Sequence, residues 1–166
     1  MPNYALFGKP MFRRIVKEIE QLYAWYDDIQ LTYIPEKRSH IIHIVDRRNK
    51  MKYEIDLGKS YPFLPPQKIL VNGVIYKPSL RLNCPRFLPY LQILSKHTEF
   101  SWFSRQQNRS TLCKINWGPA IRLLKILDEI EHFAELKKTL VIMILTDSIK
   151  EKYRVPEDIP LIEFLI

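Results

Sequence analysis

Tyr61-Pro62-Phe63-Leu64-Pro65-Pro66 is the stretch that decides how this chain is read. Its three prolines lack the amide donor that a helix interior or a paired strand needs, and each fixes φ near about −65°. The hexapeptide is therefore a stiff connection whose aromatic side chains either pack inward or project. Regular elements lie on both sides of it. Before it, Tyr53, Ile55 and Leu57 alternate with Lys52, Glu54 and Asp56, the period of a half-buried strand. After it, Lys68 to Val71 reads as a second strand that ends at Asn72-Gly73. Further upstream, His40 to Val45 is β-branched and apolar, with Arg47 to Lys50 as a polar hairpin connection, and Leu31 and Tyr33 stand opposite Gln30 and Thr32. Residues 11–27 space Phe12, Ile15, Ile19, Leu22 and Tyr26 by threes and fours, which predicts a helix. Its other face is assigned to Arg13, Arg14, Lys17, Glu18 and Glu20. The first half thus reads as a helix followed by a four-stranded antiparallel meander.

Downstream, residues 74–116 show little periodicity, and Pro78, Pro85 and Pro89 interrupt them, although a short helix fits Phe87 to Leu94. A long irregular stretch inside a compact domain is often functional. Gly118-Pro119 is read as a helix start, because proline at the first helical position loses no hydrogen bond. Ala120, Leu123, Leu124, Leu127, Ile130 and Ala134 give that helix its buried stripe. A further helix is expected from about Leu136 to Lys152, with Leu140 and Ile144 inward, and a short last one from Pro156 that buries Ile159, Ile162 and Leu165. The order is α, four β, irregular segment, C-terminal helices: an α+β layout. It is read as one domain over 1–166, with a core of about 10–135 and a helical extension 136–166.

Composition narrows the class of function. With 46% hydrophobic and 27% charged residues, the 166-residue chain has the make-up of a globular domain. The run Leu140 to Leu145 is too short to span a bilayer, and Met1 to Gly8 lacks the features of a secretory signal. An intracellular protein of cytoplasm or nucleus, without membrane attachment, is expected. Two cysteines, Cys84 and Cys113, do not make a disulfide framework, and the four histidines show no ligand spacing, so neither a metal nor a cofactor is expected. A net charge of +8 suits acidic partners or nucleic acid, or a solvated basic surface.

The hexapeptide resembles the Tyr-Pro-Phe-x-Pro-Pro signature of ubiquitin-conjugating enzymes. Val74-Ile75-Tyr76-Lys77-Pro78-Ser79 follows where that family has Ile-Tyr-His-Pro-Asn, and Trp117-Gly118-Pro119-Ala120 is similar to its Trp-x-Pro-Ala before a helix. The three landmarks come in the family's order across roughly residues 10–135 of the chain. The stretch Ser110 to Trp117 also resembles the end of an extended segment in members from large DNA viruses. The resemblance implies a ubiquitin-conjugating-enzyme-like fold and thioester chemistry. A cysteine receives the carboxyl terminus of ubiquitin, or of a ubiquitin-like protein, from an activating enzyme and passes it to a lysine, usually with a ubiquitin ligase. A thiolate is nucleophilic near neutral pH and its thioester stays reactive toward amines.

The family's residues map onto this chain with departures. Ser79 stands where the asparagine thought to stabilise the oxyanion would be, and the family spacing back from Trp117 lands on Arg109, which is no nucleophile. Cys113, beside Lys114, is the best available catalytic cysteine; an inert buried thiol is its other reading. Phe63, Pro119 and Ala120 match positions that meet ligases, and Arg13, Arg14 and Lys17 overlap the surface that docks the activating enzyme. Two alternatives stay open: a non-catalytic adaptor that binds ubiquitin or a conjugating enzyme, and a basic nucleic-acid-associated protein using Trp102, Phe103, Arg105 and Arg109.

Overall fold

A computed structural model describes residues 10–77, 88–96, 110–113 and 115–154. The chain is α+β, and its described residues fall into two compact units. One draws on Met1–Ser79 and Arg109–Asp128, the other on Leu80–Asn108 and Glu129–Ile166.

In the first unit, α1 (Pro10–Leu22) buries Ile15, Glu18 and Leu22, which the helical period places on one face. It is shorter than the predicted 11–27. The amides of Trp25 and Tyr26 both donate to the Leu22 carbonyl at 2.9 Å, so the chain turns there and Tyr26 is buried outside the helix. Then come β1 (Asp28–Ile34), β2 (Ser39–Asp46), β3 (Met51–Asp56), β4 (Lys68–Val71) and β5 (Val74–Ile75), paired antiparallel in chain order. The register sets Ile29, Ile44 and Tyr53 in one row and Ile42, Ile55 and Ile69 in the next. All six are buried. Each such side chain stabilises the fold by about 1.5–3 kcal/mol relative to exposure. The sheet therefore has five strands where four were expected. Asn72 (φ 50°) and Gly73 (φ 80°) both adopt the left-handed conformation that a two-residue hairpin turn demands, and this turns Val74-Ile75 back onto β4 as a strand of its own.

The second unit contains α2 (Leu88–Leu94) and most of α3 (Leu123–Tyr153). Pro89 lies in the first turn of α2, where its missing N–H is not needed. Leu91 and Leu94 pack with Phe133, Leu136 and Leu140, and the Tyr90 hydroxyl donates to Asp147 at 2.8 Å. The two helices expected over 119–152 are one helix of 31 residues. No breaker separates them: Ala134-Glu135-Leu136-Lys137 are all strong helix formers. The short helix expected from Pro156 lies outside the described residues.

Candidate functional site

The connection between β3 and β4 is anchored by a carboxylate that the sequence reading placed on the polar face of α1. Glu18 is 2% exposed. It stands three residues after Ile15 and four before Leu22, so the spacing that defines the apolar face also contains it. Its Oε1 accepts from Arg14 Nε, and the Tyr61 hydroxyl lies 2.7 Å from both carboxylate oxygens. Oε2 also accepts the backbone N–H of Leu123 at 2.8 Å. That amide opens α3, so the buried carboxylate serves one of the amides a helix leaves unpaired at its start and carries the charge sign that the helix dipole favours. Arg14 Nη2 donates to the Ile121 carbonyl at 3.0 Å. Burial, reinforced by the Glu18 charge, holds the Tyr61 phenol well above its ordinary pKa, so it stays a donor.

This arrangement explains why α3 begins at Leu123 and not at Pro119. Residues 119–120 form a turn, and the Ile121 amide donates to the Gly118 carbonyl at 2.9 Å. The helix starts where Glu18, from 105 residues away in the chain, supplies the cap.

The same connection meets the segment before α3. Trp117 Nε1 donates to the Pro62 carbonyl at 2.9 Å, and the Trp117 and Tyr61 rings lie 6.1 Å apart, centre to centre. Trp117 in turn holds the turn that carries Cys113: the Cys113 carbonyl accepts the amides of Asn116 and Trp117 at 2.9 Å, while the Cys113 amide donates to Ser110 at 3.1 Å. Ser110 is fully buried, and its hydroxyl accepts the Leu112 amide at 3.1 Å. Cys113 itself is a free thiol, half-buried. Its turn is thus a fixed platform, hydrogen-bonded through the backbone on both sides.

The segments that meet here expose several apolar side chains alongside the polar Asn116. Phe63 is 75% exposed and Ile115 is 85% exposed; Leu64, Pro119 and Ala120 are exposed too. Leu64 also lines a pocket of about 390 Å³ with Leu57, Tyr61, Pro65 and Pro66.

The predicted site residues separate. Phe63, Pro119 and Ala120 are at the surface, as are Arg13 and Lys17, whereas Arg14 turns inward to Glu18 and Ile121. Ser79, Cys84, Trp102, Phe103, Arg105 and Arg109 lie outside the described residues. Glu18 and Ser110 are the residues that sequence reasoning missed. Helical spacing could have revealed the first, while no local signal marks the second.

Among the described residues, no group of three His, Cys, Asp or Glu side chains could hold a metal ion, and no helix is long and apolar enough to cross a membrane. No family model matches the chain, and no curated protein or solved structure matches it.

Proposed function

We propose that this chain is a ubiquitin-conjugating-enzyme-like protein that carries ubiquitin, or a ubiquitin-like protein, as a thioester on Cys113. The observation that supports the reading is the junction of two of the family's landmarks. Tyr61-Pro62 and Trp117, far apart in sequence, meet through the 2.9 Å bond from the indole to the Pro62 carbonyl, and the same tryptophan braces the turn of Cys113. In the proposed chemistry the Cys113 thiolate attacks the modifier's thioester on the activating enzyme and expels that enzyme's thiolate. A lysine amine then attacks the new thioester, forming an amide, losing a proton and releasing the Cys113 thiolate. The Ser79 hydroxyl takes the part of oxyanion donor. Phe63, Pro119 and Ala120 form the ligase contact, with Phe63 as the projecting aromatic anchor, and Arg13 and Lys17 face the activating enzyme.

A second reading is an adaptor that binds ubiquitin or a conjugating enzyme without charging. It is favoured by the half-burial of Cys113 in a turn held by hydrogen bonds at both its N–H and its carbonyl, which restricts the approach of a bulky thioester. Incubation with an activating enzyme, ATP and ubiquitin, followed by a non-reducing gel, separates the two. The enzyme reading predicts a thiol-sensitive adduct that Cys113→Ala abolishes and Cys84→Ala keeps. Absence of any adduct beside a charged control enzyme overturns the enzyme reading and leaves the adaptor reading to a direct ubiquitin-binding measurement.

A further inference from the structure

One end of the sheet collects side chains that thioester chemistry does not use. The register pairs Asp28 with Val45 and Asp46 with Met51, so the turn between α1 and β1, residues 23–27, lies beside the turn between β2 and β3, residues 47–50. Two contacts join them. Arg48 Nη2 hydrogen-bonds to the Trp25 carbonyl, and Arg47 Nη2 is 3.8 Å from Asp28 Oδ2.

The first turn presents Tyr23 at 52% and Trp25 at 58% exposure. The Tyr23 hydroxyl donates to the Ile29 carbonyl at 3.3 Å, which fixes its ring without hiding it. The second turn presents the side chains of Arg47 and Arg48, 79% and 69% exposed, with Lys50 and then Lys52 at the start of β3. The acidic groups nearby are mostly engaged. Asp46 is buried and accepts from the amides of Arg48 and Asn49 and from Asn49 Nδ2, and Asp28 faces Arg47. Asp27 is exposed within the first turn, and Glu20 is exposed one helical turn before Tyr23.

We propose that this end of the sheet binds single-stranded nucleic acid, with bases stacking on Tyr23 and Trp25 and phosphates facing Arg47, Arg48, Lys50 and Lys52. Every base offers a π face to an exposed ring, and the planar arginine fork matches phosphate. An anionic membrane is the weaker fit. Tryptophan, tyrosine and basic side chains also suit a membrane interface, but these two turns expose no large aliphatic side chain to insert among acyl chains, and Asp27 would repel a continuous anionic surface. The inference is independent of Cys113.

The test is fluorescence anisotropy of a labelled oligo(dT) with the full chain over a salt series. Trp25→Ala and Tyr23→Ala are each expected to weaken binding by about tenfold. Arg47→Ala and Arg48→Ala should each reduce the slope of log affinity against log salt by about 0.7, while Arg48→Lys keeps the slope. The double variant Lys137→Ala, Lys138→Ala removes charge from α3 and should change neither quantity. Circular dichroism checks that every variant is folded. No oligonucleotide binding by the wild type overturns the proposal, as does binding to phosphatidylserine vesicles alone. Unchanged binding by folded Tyr23 and Trp25 variants also overturns it, by placing the site elsewhere on the chain.

Discussion

Tyr61 and Phe63 stand two residues apart in one proline-rich connection, and they have opposite fates. Tyr61 is 1% exposed, with its hydroxyl on a buried carboxylate; Phe63 is 75% exposed. The buried half of the motif belongs to the fold, since it ties α1 to the start of α3 through Glu18. The exposed half touches little and is free to meet something else. Resemblance carried by the whole hexapeptide therefore mixes two kinds of information. Only the second kind bears on function.

Substitutions can break that contrast. The largest effect is expected for Glu18→Ala, which leaves Arg14, the Tyr61 hydroxyl and the Leu123 amide without their acceptor. A loss of about 3–5 kcal/mol in urea unfolding is predicted, as for other broken buried pairs. Tyr61→Phe removes one hydrogen bond to a charged group and should cost about 2 kcal/mol by the same measurement. A loss below 0.5 kcal/mol, within the ordinary scatter of surface changes, would show that the network is not the lock described.

A pH series sharpens the contrast on the sheet. His40 is buried between the rings of Phe12 and Tyr33, 5.8 and 4.8 Å away, and burial lowers its pKa below the ordinary value of 6.5. The folded state holds the neutral imidazole, while the unfolded chain takes up a proton below about pH 6.5. Its contribution to stability is thus present above that pH and is lost as pH falls through the folded-state pKa. His40→Phe should flatten this part of the stability profile; an unchanged profile would assign the slope to other groups. The smallest effect on stability is expected for Phe63→Ala, within about 0.5 kcal/mol; under the proposed function the same variant loses ligase-dependent transfer. A stability loss well beyond that would make Phe63 a packing residue.

Much of the fold was legible in the sequence because local period and tertiary burial agree there. Tyr53, Ile55 and Leu57 are all buried, as their alternation predicts, and β4 ends at Val71, just before Asn72-Gly73. The misses have identifiable causes. Val74-Ile75 is too short to show a period, and its signal is the Asn72-Gly73 dipeptide, whose hairpin turn pairs it with β4. Pro119 carries a good helix-start signal, but the cap that sets the start is a side chain on α1, which no local pattern can announce. Arg14 reads as one of three equivalent surface cations, and its contacts with buried Glu18, four residues on, and with the Ile121 carbonyl separate it from Arg13 and Lys17. The candidate site was legible as a set of residues around Trp117, whereas the bracing of the Cys113 turn depends on contacts with Ser110 and Pro62 that spacing does not encode.

The most direct measurement replaces the thiol with a hydroxyl. Cys113→Ser, incubated with activating enzyme, ATP and ubiquitin and then read by intact mass spectrometry, should gain the mass of one modifier. The ester should survive thiol reductant, while the wild-type adduct is cleaved by it. If neither protein gains that mass while a control conjugating enzyme charges fully, Cys113 is not the carrier and the enzyme reading fails.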